Sequence, residues 1–265
     1  MALFTDGPPA TIDDLRRYDS SAESLAYEAG INLDNKLAVA AEEVGQSIFS
    51  FLLFHSTPCY PAVGLSLNAA SGEAHRQRLG LSDVMVTPAV IRWTALKALS
   101  CLYRDAYESD VTDRYRVKWQ EFERLASAAE DFTFTTGVGL SSSPVPKAAL
   151  PTVTQASQTE TGVDSVIQVT WVNGQGAEGA PSDVWNAPLA GGDQITVSSA
   201  PPAGVTGWNI YIALAGNTPL LQNATPMAPG AGWSMPLGSL SQGRPITVGQ
   251  PPDYIVVERR ILPRG

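Results

Sequence analysis

The sequence predicts a two-part α + β protein, with an all-α first part, an all-β second part and an extended arm at its end. Three observations predict it. Apolar residues recur at three- and four-residue spacing through the first 140 residues, and from Thr152 onward the period becomes two. Glycine and proline, 23 and 20 in number, crowd the second half. At 265 residues and 28.1 kDa the chain has room for two modest domains. The resulting division is a helical domain at 1–140, a linker at 141–150, a β domain at 151–250 and an arm at 251–265.

The helical elements follow from caps and periodicity. Thr11 caps a helix over 11–18, with Asp13 and Asp14 in the first turn and Arg16 and Arg17 in the last, as the helix dipole favours. Asp19 or Ser20 caps a second helix over 21–28, and Gly30 stops it. Asn32 then caps a long helix over 33–54, whose Leu37, Ala41, Val44, Ile48, Phe51 and Leu52 repeat at three and four. Pro58 and Pro61 end it, and 60–86 reads as a long connection. Thr87 followed by Pro88 is an N-cap before a proline at the first helical position.

The helix that begins at Pro88 has only a narrow polar line, Lys97, Ser100, Arg104 and Glu108. Val90, Ile91, Trp93, Leu96, Leu99, Leu102, Tyr103 and Tyr107 cover most of the rest, so it needs neighbours on several sides. Residues 109–113 break the pattern, and a further helix carries Tyr115, Trp119, Phe122, Ala126 and Ala129 on one face. Trp93, Leu96, Tyr103, Tyr107, Tyr115, Trp119 and Phe122 are the expected helical core and subunit-packing residues. Gly137 and Gly139 act as helix stops ahead of a Ser- and Pro-rich linker.

Strands are expected at 152–158, 165–173, 182–187, 194–199, 208–214, 219–223 and 232–236, separated by Asn-Gly, Gly-Gly, Pro-Pro and Gly-Asn turns. Seven short strands in this length predict a β-sandwich of immunoglobulin or fibronectin type III character, with Trp171, Trp208 and Ile210 in its core. The arm after Pro251-Pro252 is β-prone. It reads either as a last strand of this chain's own sheet or as a strand added to another protein.

Charge and chemistry narrow the function. A net charge of -9 and pI near 4.7 argue against a protein that grips nucleic acid, which needs Lys and Arg to neutralise phosphates. Cys59 and Cys101 read as two reduced core thiols, which fits a reducing compartment. No basic segment leads into a hydrophobic one near Met1, and no run of 18 apolar residues occurs, so neither export by that route nor a membrane span is expected. His55 and His75 are the only histidines, too few with two cysteines to close a zinc site. No G-x-S-x-G, P-loop or dinucleotide fingerprint occurs, and Asp105 with Glu108 reads as a salt-bridged helix surface. The expectation is therefore a protein with no cofactor and no catalytic site. Trp185 and Trp233 are the residues that exposed rings on the β domain would offer to a ligand such as a sugar, with interior packing the favoured reading.

Several stretches carry a family resemblance: Leu15-Arg16-Arg17-Tyr18, Ile31-Asn32-Leu33-Asp34, Leu37-Ala38, Val86-Thr87-Pro88, Arg92-Trp93, Leu99 to Leu102, Tyr103-Arg104-Asp105-Ala106-Tyr107, Asp113-Arg114-Tyr115 and Lys118-Trp119. In this order they resemble the neck proteins that connect head to tail in tailed bacteriophages. Trp171-Val172-Asn173, Glu178-Gly179-Ala180-Pro181-Ser182 and Gly207-Trp208-Asn209-Ile210-Tyr211 resemble immunoglobulin-like modules appended to phage structural proteins. The resemblance implies a virion-neck adaptor assembled in the host cytoplasm, a homo-oligomeric ring of about twelve subunits beneath the portal. Its implied partners are the portal, a tail or nozzle protein, and DNA that passes through an acidic lumen without sticking. It further implies that a terminal arm docks on the portal, here Tyr254, Ile255, Val256, Val257, Arg259, Arg260, Ile261 and Leu262. The alternative is a decoration module that binds glycans or a host surface through the immunoglobulin-like domain.

Overall fold

The computed structural model describes residues 1–56, 79–110, 113–155, 163–189, 195–214, 216–236 and 240–257. Among the described residues it is a mixed α + β chain in which five α-helices precede several antiparallel sheets. The chain divides into two compact units, one made of Met1–Asp6 and Ser143–Pro251, the other of Gly7–Ser142 and Pro252–Gly265. Neither unit is continuous in sequence, which differs from the expected tandem order at both ends.

The helical unit contains α1 (Ile12–Tyr18), α2 (Ala22–Ala29), α3 (Leu33–Ser56), α4 (Pro88–Asp110) and α5 (Asp113–Thr136). The sequence signals for their starts act largely as expected. Thr11 and Asp14 form a reciprocal capping box, the Asn32 side chain accepts from Asn35 N at 3.1 Å, and Gly30 ends α2 at φ 67°. Ser21, not Asp19 or Ser20, stands at the start of α2. Asp19 Oδ1 instead holds Ser21 through its N–H at 2.9 Å and its hydroxyl at 2.6 Å. The Thr87 carbonyl accepts from Ile91 N at 3.0 Å, but its hydroxyl is buried without a hydrogen-bond partner, so Thr87 marks the start of α4 without capping it through its side chain.

α4 packs against each of the other four helices. Val90, Trp93, Ala95, Leu96, Ala98, Leu99, Leu102, Tyr103 and Ala106 are all buried, which accounts for the near-complete apolar coverage read from sequence. After Gly137, which has φ 108°, β1 (Val138–Leu140) runs beside the bridging residue Val84 and is paired on its other edge by β9 (Tyr254–Val256). The first residues of the expected arm are thus a strand of the helical unit.

The described residues of the β unit form two sheets. One is ordered β2 (Thr152–Gln155), β5 (Ile195–Ser198), β8 (Gly232–Ser234), and the other β4 (Trp185–Leu189), β3 (Val163–Asn173), β6 (Val205–Leu214), β7 (Leu220–Leu221). All pairings are antiparallel, and Trp171 lies opposite Trp208 in the long β3–β6 ladder. Ile167, Val169 and Trp171 of β3, Trp208, Ile210 and Ile212 of β6, Ile195 and Val197 of β5, and Trp233 of β8 share one core. Burial of each such side chain is worth about 1.5–3 kcal/mol before chain entropy is counted.

Residues 143–150 are not a solvated linker. Val145 and Ala148 sit in that same core, and Ala148 N donates to Ala180 O at 3.0 Å. Proline and serine there mark irregular backbone, which is compatible with burial once its polar groups are paired. Residues 1–6 also belong to this unit, with Leu3 and Phe4 buried and the Asp6 carboxylate accepting from Leu3 N at 2.7 Å and Lys147 N at 2.9 Å.

Candidate functional site

The helical residues expected to carry core and subunit packing separate into two groups. Trp93, Leu96, Tyr103 and Phe122 are buried within their own unit. Trp93 meets Phe134 edge-on at 5.5 Å, and Tyr103 stacks on Phe122 at 5.5 Å. Of the residues expected to carry core and subunit packing, these four are thus spent on the core of their own unit. Tyr107, Tyr115 and Trp119 are partly exposed, with Tyr107 stacked on Trp119 at 6.2 Å.

Two polar clusters lock this core. Tyr103 Oη donates to Asp19 Oδ2 at 2.6 Å, and Lys118 Nζ lies 3.9 Å from the same oxygen. Burial alone would raise the Asp19 carboxyl, but hydrogen bonds from Ser21 and Tyr103 and the Lys118 charge offset it and hold the group below its ordinary value. Burial, reinforced by the bond to Asp19, pushes the Tyr103 hydroxyl up to about 12. The second cluster joins three helices: Lys97 Nζ of α4 lies 3.0 Å from Glu43 of α3 and 3.4 Å from Glu123 of α5, and Ser100 Oγ donates to Glu123. Lys97, Glu43 and Glu123 line a cleft of about 150 Å³ with Trp93, Ser127 and Glu130. Sequence reading placed Lys97 and Ser100 on a polar line but could not supply partners from helices that meet only in three dimensions.

Large apolar side chains are left exposed elsewhere. Phe49, Leu53 and Phe54 on α3 and Val117 and Phe132 on α5 are 43%, 47%, 74%, 61% and 54% accessible. α3 is also long and apolar enough to cross a membrane by length and composition. Its Leu37, Ala40, Val44, Ile48 and Leu52 are buried within the helical unit, and the rest of its length is largely exposed or half-buried.

Of the expected arm, Tyr254, Ile255 and Val256 form β9, paired with Leu140, Gly139 and Val138. Ile255 and Val257 are 59% and 45% accessible, and among the described residues β9 pairs on one edge alone. Arg259, Arg260, Ile261 and Leu262 lie outside the described residues, as do Cys59 and His75. Cys101 is buried as a free thiol, and burial raises it.

On the β unit, Trp233 lies in the core and Trp185 packs, partly buried, against it. Interior packing thus accounts for both rings. A buried network that sequence reading missed lies on the opposite face of β6: the Glu178 carboxylate accepts from Asn209 Nδ2, from Tyr211 Oη at 3.0 Å and from Arg244 Nη2 at 2.5 Å. Asn223 extends it, donating to Asn209 Oδ1 at 2.8 Å and accepting from Ile210 N at 2.9 Å. The visible signal was Asn209 and Tyr211 alternating with Trp208 and Ile210 in a strand whose outward positions should be solvated. The Glu178 and Arg244 partners are too distant in sequence to be read.

Among the described residues no group of three or more His, Cys, Asp or Glu is arranged to hold a metal ion. Compared with known proteins, the chain matches no family model, and no curated protein matches its sequence.

Proposed function

We propose that this chain is a structural protein of a tailed-bacteriophage virion: a head-to-tail adaptor that repeats as a ring beneath the portal and lets DNA pass through its lumen. The carrying observation is the set of exposed apolar side chains on α3 and α5, two helices that already bury their inner faces on α4. Large exposed apolar groups on a helix pair favour a protein partner. The net charge of -9 suits a lumen that repels DNA. The buried thiol of Cys101 suits assembly in a reducing cytoplasm.

The β unit serves as an immunoglobulin-like module. In that fold one sheet is ordered A-B-E-D and the other G-F-C, with C′ added beside C in the larger form. The order β4-β3-β6-β7 follows C′-C-F-G, and the buried Trp171 on β3 stands where strand C carries its tryptophan. β2 and β5 follow B and E, whereas β8 occupies the place of D although it comes last in sequence. Portal docking uses the edge of β9 that has no partner among the described residues, where a partner strand adds through main-chain hydrogen bonds, and Arg259, Arg260, Ile261 and Leu262 are proposed to take part in the same contact.

Native mass spectrometry and negative-stain imaging of the full chain, alone and with portal, test this reading. A closed oligomer that caps the portal is expected, and monomers under both conditions overturn it. The alternative, glycan binding through Trp185 and Trp233, has weaker support because both rings pack inward. Glycan-array binding by the full chain, lost in Trp185→Ala without loss of fold, would favour it.

A further inference from the structure

The strand pair β1–β9 closes the helical unit across a long excursion of the chain. The chain leaves that unit after Ser142, forms the β unit through Pro251, and returns at Pro252. Directly on return, Asp253 N donates to Leu140 O at 2.9 Å. The Asp253 carboxylate accepts from Ser142 N and Ser142 Oγ, both at 2.8 Å, and from Ser141 Oγ at 3.2 Å. Leu140 then pairs with Tyr254 and Val138 with Val256. A Cβ placed on Gly137 would overlap Ile255 Cγ2, and one on Gly139 would fall 3.1 Å from Pro252 Cβ. The returning segment therefore lies directly on β1, in space that two glycines keep open.

The β unit makes its own closure. Val145 N donates to Gln250 Oε1 at 2.9 Å, so its first and last residues are tied together within it. A Cβ on Gly249 would fall 2.6 Å from Met1 O, which places residues 1–6 in this unit although α1 of the helical unit follows at once.

We propose that the β unit is an autonomously folding module inserted into the β1–β9 hairpin of the helical unit, with β9 a strap of the helical fold and residues 1–6 a strap of the module. Chain proximity predicts the opposite grouping, since β9 begins three residues after the module and residues 1–6 precede the helices. What decides is where each segment buries its side chains and finds its hydrogen bonds. Local opening follows such cooperative units, not sequence neighbourhood.

Residue-resolved amide hydrogen exchange on the full chain tests this with two variants. Leu99→Asp puts a charge in the core of α4, and Ile210→Asp does the same in the module. In Leu99→Asp, α4, α5 and residues 254–256 are expected to exchange together at least about 100-fold faster, while β3, β6, Leu3 and Asp6 stay within about twofold of wild type. In Ile210→Asp, β3, β6, Leu3 and Asp6 lose protection together while α4 and α5 keep theirs. Residues 254–256 protected along with β3 and β6 in Leu99→Asp, or Leu3 and Asp6 grouped with the helices, overturns the proposal. So does collective exchange of all amides in both variants. If either variant is insoluble, wild-type exchange in sub-denaturing urea decides the same groupings from the order in which amides open.

Discussion

Replacing Tyr103 by Phe isolates one hydrogen bond in the core of the helical unit. The ring is 3% accessible and keeps its stacking on Phe122, so the perturbation is confined to the hydroxyl that donates to Asp19 at 2.6 Å. A hydrogen bond to a charged acceptor contributes about 1.5–3 kcal/mol. Asp19 retains both Ser21 bonds and Lys118, so it is not stranded and the low end applies, about 1.5 kcal/mol. With a urea m-value of about 1–3 kcal/mol/M, the midpoint of the helical transition, followed by ellipticity at 222 nm, should fall by about 0.5–1.5 M. The pH dependence carries the second signature. The Asp19 carboxyl is depressed in the folded state, so its contribution is present above the unfolded carboxylate value near ~3.9 and is lost as pH falls through the lower folded value. Loss of the Tyr103 bond lets the folded value rise toward normal. The stability gap between wild type and variant should be constant from about pH 5 to 8 and shrink below about pH 3. A gap under about 0.5 kcal/mol at pH 7, or one that persists unchanged into acid, refutes the assigned role of this bond.

Gly137→Val combines a φ of 108° with a Cβ that would meet Ile255 and Val257. It should cost about 2 kcal/mol or more and release residues 254–256 to fast exchange, and full protection there would contradict the packing described. Glu178→Leu leaves the Tyr211 hydroxyl and the Asn209 amide without their acceptor inside the β unit. It should destabilise that unit by about 3 kcal/mol in urea unfolding followed by tryptophan fluorescence, and a loss below about 1 kcal/mol would count against the network. Phe132→Glu changes a half-exposed position on α5. Its unfolding should shift by no more than about 0.5 kcal/mol, while self-association measured by sedimentation should weaken about tenfold or more if that face is a subunit contact.

Much of the fold was legible because its signals are local. Each of the five helices begins within two residues of its expected start, since caps and prolines act on the next turn. All seven expected strand positions contain strands, since alternation and turn residues act over a few residues. Trp171, Trp208 and Ile210 could be assigned to the core because side chains on one strand face alternate by two. Boundaries between units were less legible. Residues 143–150 have the composition of a linker, yet Val145 is 1% accessible, because composition reports backbone irregularity and not burial.

The sequence by itself determined the helices, the strands, the acidic balance and the apolar excess of α4, all set within a turn or a strand's length of the residues concerned. Only the tertiary structure decided what that excess meets: α1, α2, α3 and α5 of the same unit, while exposed apolar groups on α3, α5 and β9, among others, stay outside that core. It alone paired β9 with β1 and brought Arg244 to Glu178, residues joined through contacts between distant segments. The physical reason is that amphipathic periodicity states that a face must be buried, whereas the surface that buries it is chosen by the packing of the whole chain.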